Sequence, residues 1–494
     1  MDNITVSQLR ENITKFQESF SAISDFVERF VETSGLNPND VIDFPLLFGN
    51  QNRAVVQIDG FQLNNDQLRI YNRILSKLKT GSPFYVFVSG PAGSGKSLLL
   101  KALKNAIKQH FNSDPDSCLV TAPTIIAARN IDGGTTHSIL QSWKADADHT
   151  NFSPRKKSES ECKIKKTKVL LIDGINYVDA KMFCQIDQKL RSALDAKKPF
   201  GGIPVIVFGD LYQIQFFGGD SIWQEENSKK LWNMMRLEEL TKNENVTEPE
   251  ESDVFDILRS GNNFLTSSMI DYLKKKCEVV GSSKSDVIKA LEKLKMDNPN
   301  KSFAVLAFQN EFIKDINKEI LATLREVKDI IPKKCVFNLE GPTDMYPQNA
   351  PDKIKNISLA IGAQVMLTAP VKNHNHGEIG RVLEISEEFV SVRFPTETVQ
   401  VTRCGWNLGK LGWLQFPLVH AEAFTIHKSQ GLMFDGVILV GKLDERQSSA
   451  IYTALSRAKS LKLCRITHLS TLDDLKNRDI EKEKAEMDRL RSSV

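Results

Sequence analysis

The chain has 494 residues, of which 41% are apolar and 26% charged, and a formal net charge of +3. That length exceeds one ordinary core and sets an expectation of about three domains. The near-neutral balance excludes a globally basic nucleic-acid-binding protein, so any such surface must be a local groove.

The N-terminus, MDNITVSQLREN, has neither a basic-then-apolar leader nor the acid-poor, Arg-rich character of a transit peptide, so a chain that is not secreted is expected. Residues 5–33 place Val6, Leu9, Ile13, Phe16, Phe20, Ile23, Val27 and Phe30 on one face of a long helix. That face either packs on the protein's own body or grips a protein partner. Asn, Pro and Gly around 35–50 read as a linker, which makes 1–55 an N-terminal helical extension. From residue 62 onward, FYVFVSG, SCLVTAP, VLLIDG and IPVIVFGD are apolar strands ending in Gly, Pro or Asp, each followed by amphipathic sequence. This alternation predicts a parallel α/β sheet. A second set, SFAVLAF, GVILVG and KLCRITHL, follows, interrupted over 335–415 by a Gly- and Val-rich β segment. The charged tail from Asp473 reads as a solvated helix with a frayed end. No run approaches the roughly 18 uninterrupted apolar residues of a membrane span, and no membrane contact is expected. Seven cysteines without a C-x-x-C pair argue against a zinc knuckle or disulfide framework, and for reduced thiols in cytosol or nucleus.

The first strand runs into SGPAGSGKS, where Gly90, Gly95, Lys96 and Ser97 fit G-x-x-x-x-G-K-[ST] at a strand-to-helix junction. Such a loop turns backbone N–H groups toward phosphate oxygens and presents the positive end of a helix. Lys96 is expected to reach the β- and γ-phosphates of ATP, and the Ser97 hydroxyl to ligate Mg2+. Asp173, at the end of VLLID, completes the metal shell. Upstream, Gln67 has the donor and acceptor to read an adenine edge. Asp210 and Gln213 follow a strand, where an amide can bond a terminal phosphate or the attacking water. Arg457, set in the apolar stretch TALSRA, is costly to bury alone; it either pairs with a structural carboxylate or serves as an arginine finger. Thr136, His137, Thr425 and His427 suit phosphate contacts and base stacking.

Several stretches together resemble the PIF (petite integration frequency) DNA helicases of superfamily 1, relatives of the RecD helicases. They are TAPTIIAARNIDGGTTHSIL, KPFGGIPVIVFGDLYQI, LAFQNEFIKDIN, FPLVHAEAFTIHKSQGLMFDGVILVG and IYTALSRAKSL, in the family's order over about residues 60–470. The resemblance implies an α/β fold of two RecA-like P-loop NTPase domains with parallel sheets and a small SH3-like β insertion in the second. The implied division is 56–235 for the first domain, 236–334 and 416–472 for the two parts of the second, 335–415 for the insertion and 473–494 for the tail. It adds Gly93, Gln430 and Gly431 to the nucleotide-binding set. It places Pro123, Thr124, Thr136, His137, Asn310, Thr425, His427 and Lys428 on single-stranded DNA. The basic loop of about 141–167 is either a wedge at the DNA junction or a solvated charge run, including a nuclear-import signal. Nuclear localisation, otherwise cytoplasmic, follows from family and loop alone.

Two positions depart from the family. Gly174 follows Asp173 where a glutamate is expected, and Asn245 stands where an arginine is expected. General-base help is worth about 10² to 10⁴ in rate, and a missing arginine finger about 10³ to 10⁵. Asp179 or Asp210 are candidate substitutes for the carboxylate, and Lys242 or Arg236 for the arginine. Two functions therefore compete: an ATP-dependent 5′-3′ DNA helicase of replication, repair or recombination, and a degenerate relative that binds ATP and single-stranded DNA without efficient hydrolysis. A kinase using the phosphate loop alone leaves TIHKSQG and TALSRA unexplained.

Overall fold

The computed structural model describes residues 56–58, 60–136, 163–215, 219–244, 246, 248–260, 267–324, 326–335, 356–374, 377–408, 411–441, 448–468 and 481–493. The expected N-terminal helix, the basic loop up to residue 162, His137 and Asn245 lie outside them.

Two parallel sheets carry the fold. In the first, the strands run in the order Gly134–Thr135, Cys118–Ala122, Val169–Ile172, Val205–Gly209, Tyr85–Ser89, Arg236–Glu239. Every neighbouring pair is parallel. The central strands are buried along their whole length, which is why their sequences are continuous apolar runs without alternation. In the second sheet the order is Ala423–Thr425, Phe303–Ala307, Gly436–Val440, Arg465–Ile466, Glu278–Val279, again all parallel. These are the two RecA-like domains.

Antiparallel strands interrupt the second domain. Thr398–Thr402, Phe389–Arg393, Ile379–Ile385, Gln364–Leu367 and Leu418–His420 form one sheet, and Lys333–Cys335, Leu411–Gln415 and Cys404–Leu408 another. The strand Thr398–Thr402 alternates exposed and buried residues, as expected of a sheet with one wet face. The antiparallel pairing begins at Lys328 and continues to His420, so it extends past the expected 335–415 at both ends.

The C-terminal tail departs from its sequence reading. Helix Glu481–Ser492 is docked, not solvated: Met487 and Leu490 are buried in the core of the first domain. Its polar side chains are also committed. Trp232 donates its indole N–H to Glu486 (2.7 Å), Gln215 donates to Glu483 (2.8 Å), and Arg491 pairs with Glu239 (2.9 Å). Two apolar side chains among charged ones give too weak a stripe to announce an amphipathic helix. Among the described residues no helix is long and apolar enough to cross a membrane.

Candidate nucleotide cleft and nucleic-acid surface

In open α/β sheets ligands bind beyond the carboxyl ends of the strands, and the candidate residues of the first domain gather there. The phosphate loop follows Tyr85–Ser89, Asp173 follows Val169–Ile172, and Asp210 with Gln213 follow Val205–Gly209. Gly93 and Gly95 have φ of 78° and 75°, the left-handed region that glycine reaches without strain. A Cβ at Gly95 would also lie 2.2 Å from the Gln67 amide nitrogen. The helix that begins at Lys96 has no side-chain cap, which leaves its first-turn N–H groups for an anion. The Lys96 ammonium donates to the Gly90 and Pro91 carbonyls (2.7 and 2.8 Å). Burial pushes its pKa down to about 8; Asp210 and Asp173 oppose the shift, and Arg259 and Arg457 add to it.

Ser97 donates to Asp173 at 3.3 Å, so a hydroxyl and a carboxylate stand together where a divalent cation bridging to phosphate would need them. Burial raises the Asp173 pKa, and Lys96 is the largest opposing influence. This donor set fits Mg2+, and the loop fits a triphosphate.

Gln67 is placed differently from its expected role. It is buried: its amide oxygen accepts from the Asn64 N–H (2.9 Å) in a capping box, and its NH2 donates to the Ser94 carbonyl (2.9 Å). The oxygen end caps its own helix and the NH2 end braces the phosphate loop, so reading an adenine would require breaking these bonds.

A buried network crosses from the first domain to the second. The Ala92 N–H donates to the Tyr452 hydroxyl (2.8 Å), which donates to Asp210 (3.1 Å). Gln213 donates to Asp210 (3.4 Å) and accepts from Gln430 (3.5 Å). The Ile214 N–H donates to Thr453 (3.0 Å). Arg259, at the end of helix Pro249–Ser260, donates its Nε to both Asp210 oxygens at 3.0 Å. Arg457 is 7% exposed and donates to the Thr453 carbonyl and the Ser456 hydroxyl. It has no carboxylate ion partner among the described residues, so the alternative of a structural ion pair finds no support there. Burial lowers its pKa, as expected of a desolvated cation.

The candidate substitutes for the missing groups lie elsewhere or are engaged. Asp179 caps helix Ala180–Ala193 by accepting from the Met182 N–H (2.6 Å). Lys242 pairs with Glu244, and Arg236 donates to the Ser493 carbonyl. Asp210 is in the cleft but bound to Arg259.

Gly174 has φ +68°, and a Cβ there would meet Pro123 at 3.3 Å. A side chain in this left-handed conformation costs roughly 1–2 kcal/mol. Gly174→Glu is therefore expected to lower folding stability by about that amount, read as a fall in Cm by chemical denaturation. A variant as stable as the parent would mean that the turn relaxes freely around a side chain.

The proposed DNA-contacting residues separate into two groups. Pro123 and Thr124, beyond Cys118–Ala122, are partly exposed, and Asn310 and Lys428 are exposed, beyond Phe303–Ala307 and Ala423–Thr425. Thr124 also caps helix Ile125–Asn130. Thr136 and Thr425 are buried and do not present their hydroxyls to a groove: Thr136 bonds Thr121 (2.7 Å), and Thr425 accepts from the Lys428 N–H. They shape the loops from within. His427 is half-buried, its ring edge-on to Phe308 and Tyr177, and burial lowers its pKa.

The PIF1-like helicase family model matches residues 62–274, and that of the UvrD-like helicase C-terminal domain matches 420–461. Over these residues the chain is similar to the PIF1-like helicases. Among relatives, the ATP-dependent DNA helicase PIF7 of Trypanosoma brucei brucei is 26% identical and the ATP-dependent DNA helicase PIF1 of Danio rerio 27% identical, each over 82% of this chain. The chain spans only 46% and 61% of those relatives' own lengths. The structure of Bacteroides Pif1 helicase in complex with ADP-AlF3 and single-stranded DNA is similar at a TM-score of 0.65 and 26% identity, covering 87% of this chain and 97% of that one. A structure of two coordinating Pif1 helicases at forked double-stranded DNA matches at 0.63 and 25%, with the same coverage of each chain.

Reasoning from sequence missed Arg259 and Tyr452 in this cleft. The available signal for Arg259 was the one used for Arg457. In SDVFDILRS, an arginine follows Val254, Phe255 and Leu258, all buried, and a cation beside an apolar face needs a partner.

Proposed function

We propose that the chain is an ATP-dependent DNA helicase that moves 5′-3′ along single-stranded DNA and opens duplex at junctions, in replication, repair or recombination. One observation carries this reading: a single buried network joins the phosphate loop to the sensor residues Asp210 and Gln213 and to Tyr452 and Gln430 of the second domain. Chemistry at the phosphates and movement between the domains are then mechanically one event. When bound, Mg-ATP supplies a γ-phosphoryl group open to in-line attack by water. Lys96 neutralises phosphate charge, while Ser97 and Asp173 orient the cation. Gln213 places the attacking water, and Arg457 offsets charge on the transferred group. Gln430 links that event to the turn carrying Thr425, His427 and Lys428, and so to the strand. Pro123, Thr124, Asn310 and Lys428 grip the DNA backbone, whose contacts position without reading sequence.

A second reading draws on Gly174, whose backbone suits glycine and supplies no carboxylate. On it, the protein binds ATP and DNA but turns over slowly. Strand-displacement and ATPase assays on the whole chain separate the two. Turnover with unwinding supports the helicase, and binding of both ligands at the Lys96→Ala rate of hydrolysis supports the binder. A nuclear, otherwise cytoplasmic, location is proposed from the family resemblance and the basic loop, and a protein partner from the apolar face of residues 5–33.

A further inference from the structure

Asp210 is surrounded by more positive charge than one carboxylate needs. It is fully buried, with its side chain 0% exposed, and takes a bidentate contact from Arg259, which is 13% exposed. Tyr452 and Gln213 also donate to it. Lys96 and Arg457 are near enough to interact with it electrostatically, and Arg259 lies near enough to Lys96 to disfavour its charge. Three cations, Lys96, Arg259 and Arg457, thus gather around two carboxylates, Asp210 and Asp173, beside a loop built to hold phosphates. Crowding of like charge is costly in a dry site. It is relieved when a further anion enters among the cations.

Arg259 is suited to take up that anion. It comes from the second domain, at the last turn of helix Pro249–Ser260, while Asp210 and the phosphate loop belong to the first. Its guanidinium lies against the Tyr212 ring, 4.9 Å from the centroid, which fixes the plane of the fork while leaving its donor edge usable. An arginine fork can hold a carboxylate with some of its five donors and a phosphate oxygen with others. Tyr452, bonded at once to the Ala92 N–H and to Asp210, ties this pair to the phosphate loop itself.

We infer that Arg259 is a second arginine of the nucleotide cleft: it contacts the terminal phosphate of ATP, with Asp210 as the group that holds and aims it. This rests on the ATP-binding reading above and adds to it a residue that tells a triphosphate from a diphosphate. Arg457 and Arg259 then approach the terminal phosphate from the same domain, and closure of the cleft on ATP is set by both.

The test is equilibrium binding of ATPγS and of ADP, each with Mg2+, to the full chain. Arg259→Ala is expected to weaken ATPγS binding at least tenfold and to change ADP binding less than twofold. Because Arg259→Ala strands a buried carboxylate and can unfold the chain, a second comparison carries the same question: the double variant Asp210→Asn/Arg259→Gln against Asp210→Asn alone. Asp210→Asn, which loosens the group that aims Arg259, is expected to lose part of the ATPγS preference, and the double variant to lose the rest. Arg259→Lys is expected to recover part of it, since a lysine supplies the charge but not the fork. Equal losses for both nucleotides, or no difference between the double variant and Asp210→Asn, would reduce Arg259 to a structural ion pair. A parent chain that binds neither nucleotide would overturn the ATP reading along with this one, whereas a parent that binds both with an intact preference in the double variant would overturn this one alone.

Discussion

Arg457→Ala is expected to lower ATP turnover by about 10³- to 10⁵-fold, the range over which an arginine finger acts, while ADP binding changes little. Arg457 is nine-tenths buried, and its guanidinium donates only to the Thr453 carbonyl and the Ser456 hydroxyl among the described residues. A cation held there without a carboxylate opposes folding, since its charge is desolvated and only partly compensated. Removing it strands no buried anion, so the variant should fold at least as well as the parent. That combination, lost turnover with retained stability, marks a residue kept for chemistry. Arg457→Lys should remain close to the alanine variant, because a point charge does not reproduce a planar fork. Steady-state ATPase rates together with denaturation midpoints check both halves. A large loss of stability in Arg457→Ala would assign the residue to packing instead. On the proposed mechanism Arg457 and Gln213 address one phosphoryl group, so double variants should lose less than the product of the single losses.

Trp232→Ala is expected to destabilise the first domain by about 3–5 kcal/mol, the usual range for removing a large buried aromatic. Trp232 is fully buried and packs its ring on Phe87, Phe183 and Trp223 at centroid separations of 5.1, 6.4 and 6.2 Å. Its indole N–H also donates to Glu486 of the C-terminal helix, so the truncation leaves a buried carboxylate oxygen with one donor fewer. Glu486 retains Arg489, which donates to both of its oxygens. Trp232→Phe separates the two contributions: it keeps most of the ring and loses only the N–H, and should cost about 1–3 kcal/mol. Hydrogen exchange should show Glu481–Ser492 losing protection in Trp232→Ala ahead of the rest of the domain. A helix that keeps its protection in that variant would mean that Met487 and Leu490 alone hold it.

The parts of the molecule that could be read from sequence are those where one local rule acts alone. Val169–Ile172 and Val205–Gly209 are central strands buried on both faces, and their apolar runs state this directly. The strand Arg236–Glu239 is just as much part of the sheet but reads as charged. It lies at the sheet's edge, where Glu238 is neutralised by Arg69 and Arg73 and Glu239 by Arg491. No window of sequence contains those partners. The C-terminal helix escapes a sequence reading for a related reason, since its two anchoring residues matter only against a surface formed by residues of the first domain such as Trp232. In the cleft, the phosphate loop and the Ser97–Asp173 pair were legible because a strand-to-helix junction and a fixed spacing define them. Gln67 was not, because the same amide that can read a base can also close a capping box, and only the fold chooses between them. Arg259 stayed hidden because its partner, Asp210, comes from another domain.

The central claim is that the cleft is a working motor whose chemistry depends on Lys96 and whose second domain responds to DNA. The most direct measurement is the rate of ATP hydrolysis by the whole chain, with and without single-stranded DNA, beside Lys96→Ala. Hydrolysis that DNA accelerates, and that Lys96→Ala abolishes, is the predicted result. It would mean that the cleft works with Gly174 and Asn245 in place. Hydrolysis no faster than that of Lys96→Ala, with ATP and DNA still bound, would contradict the claim and leave a helicase-shaped binding protein.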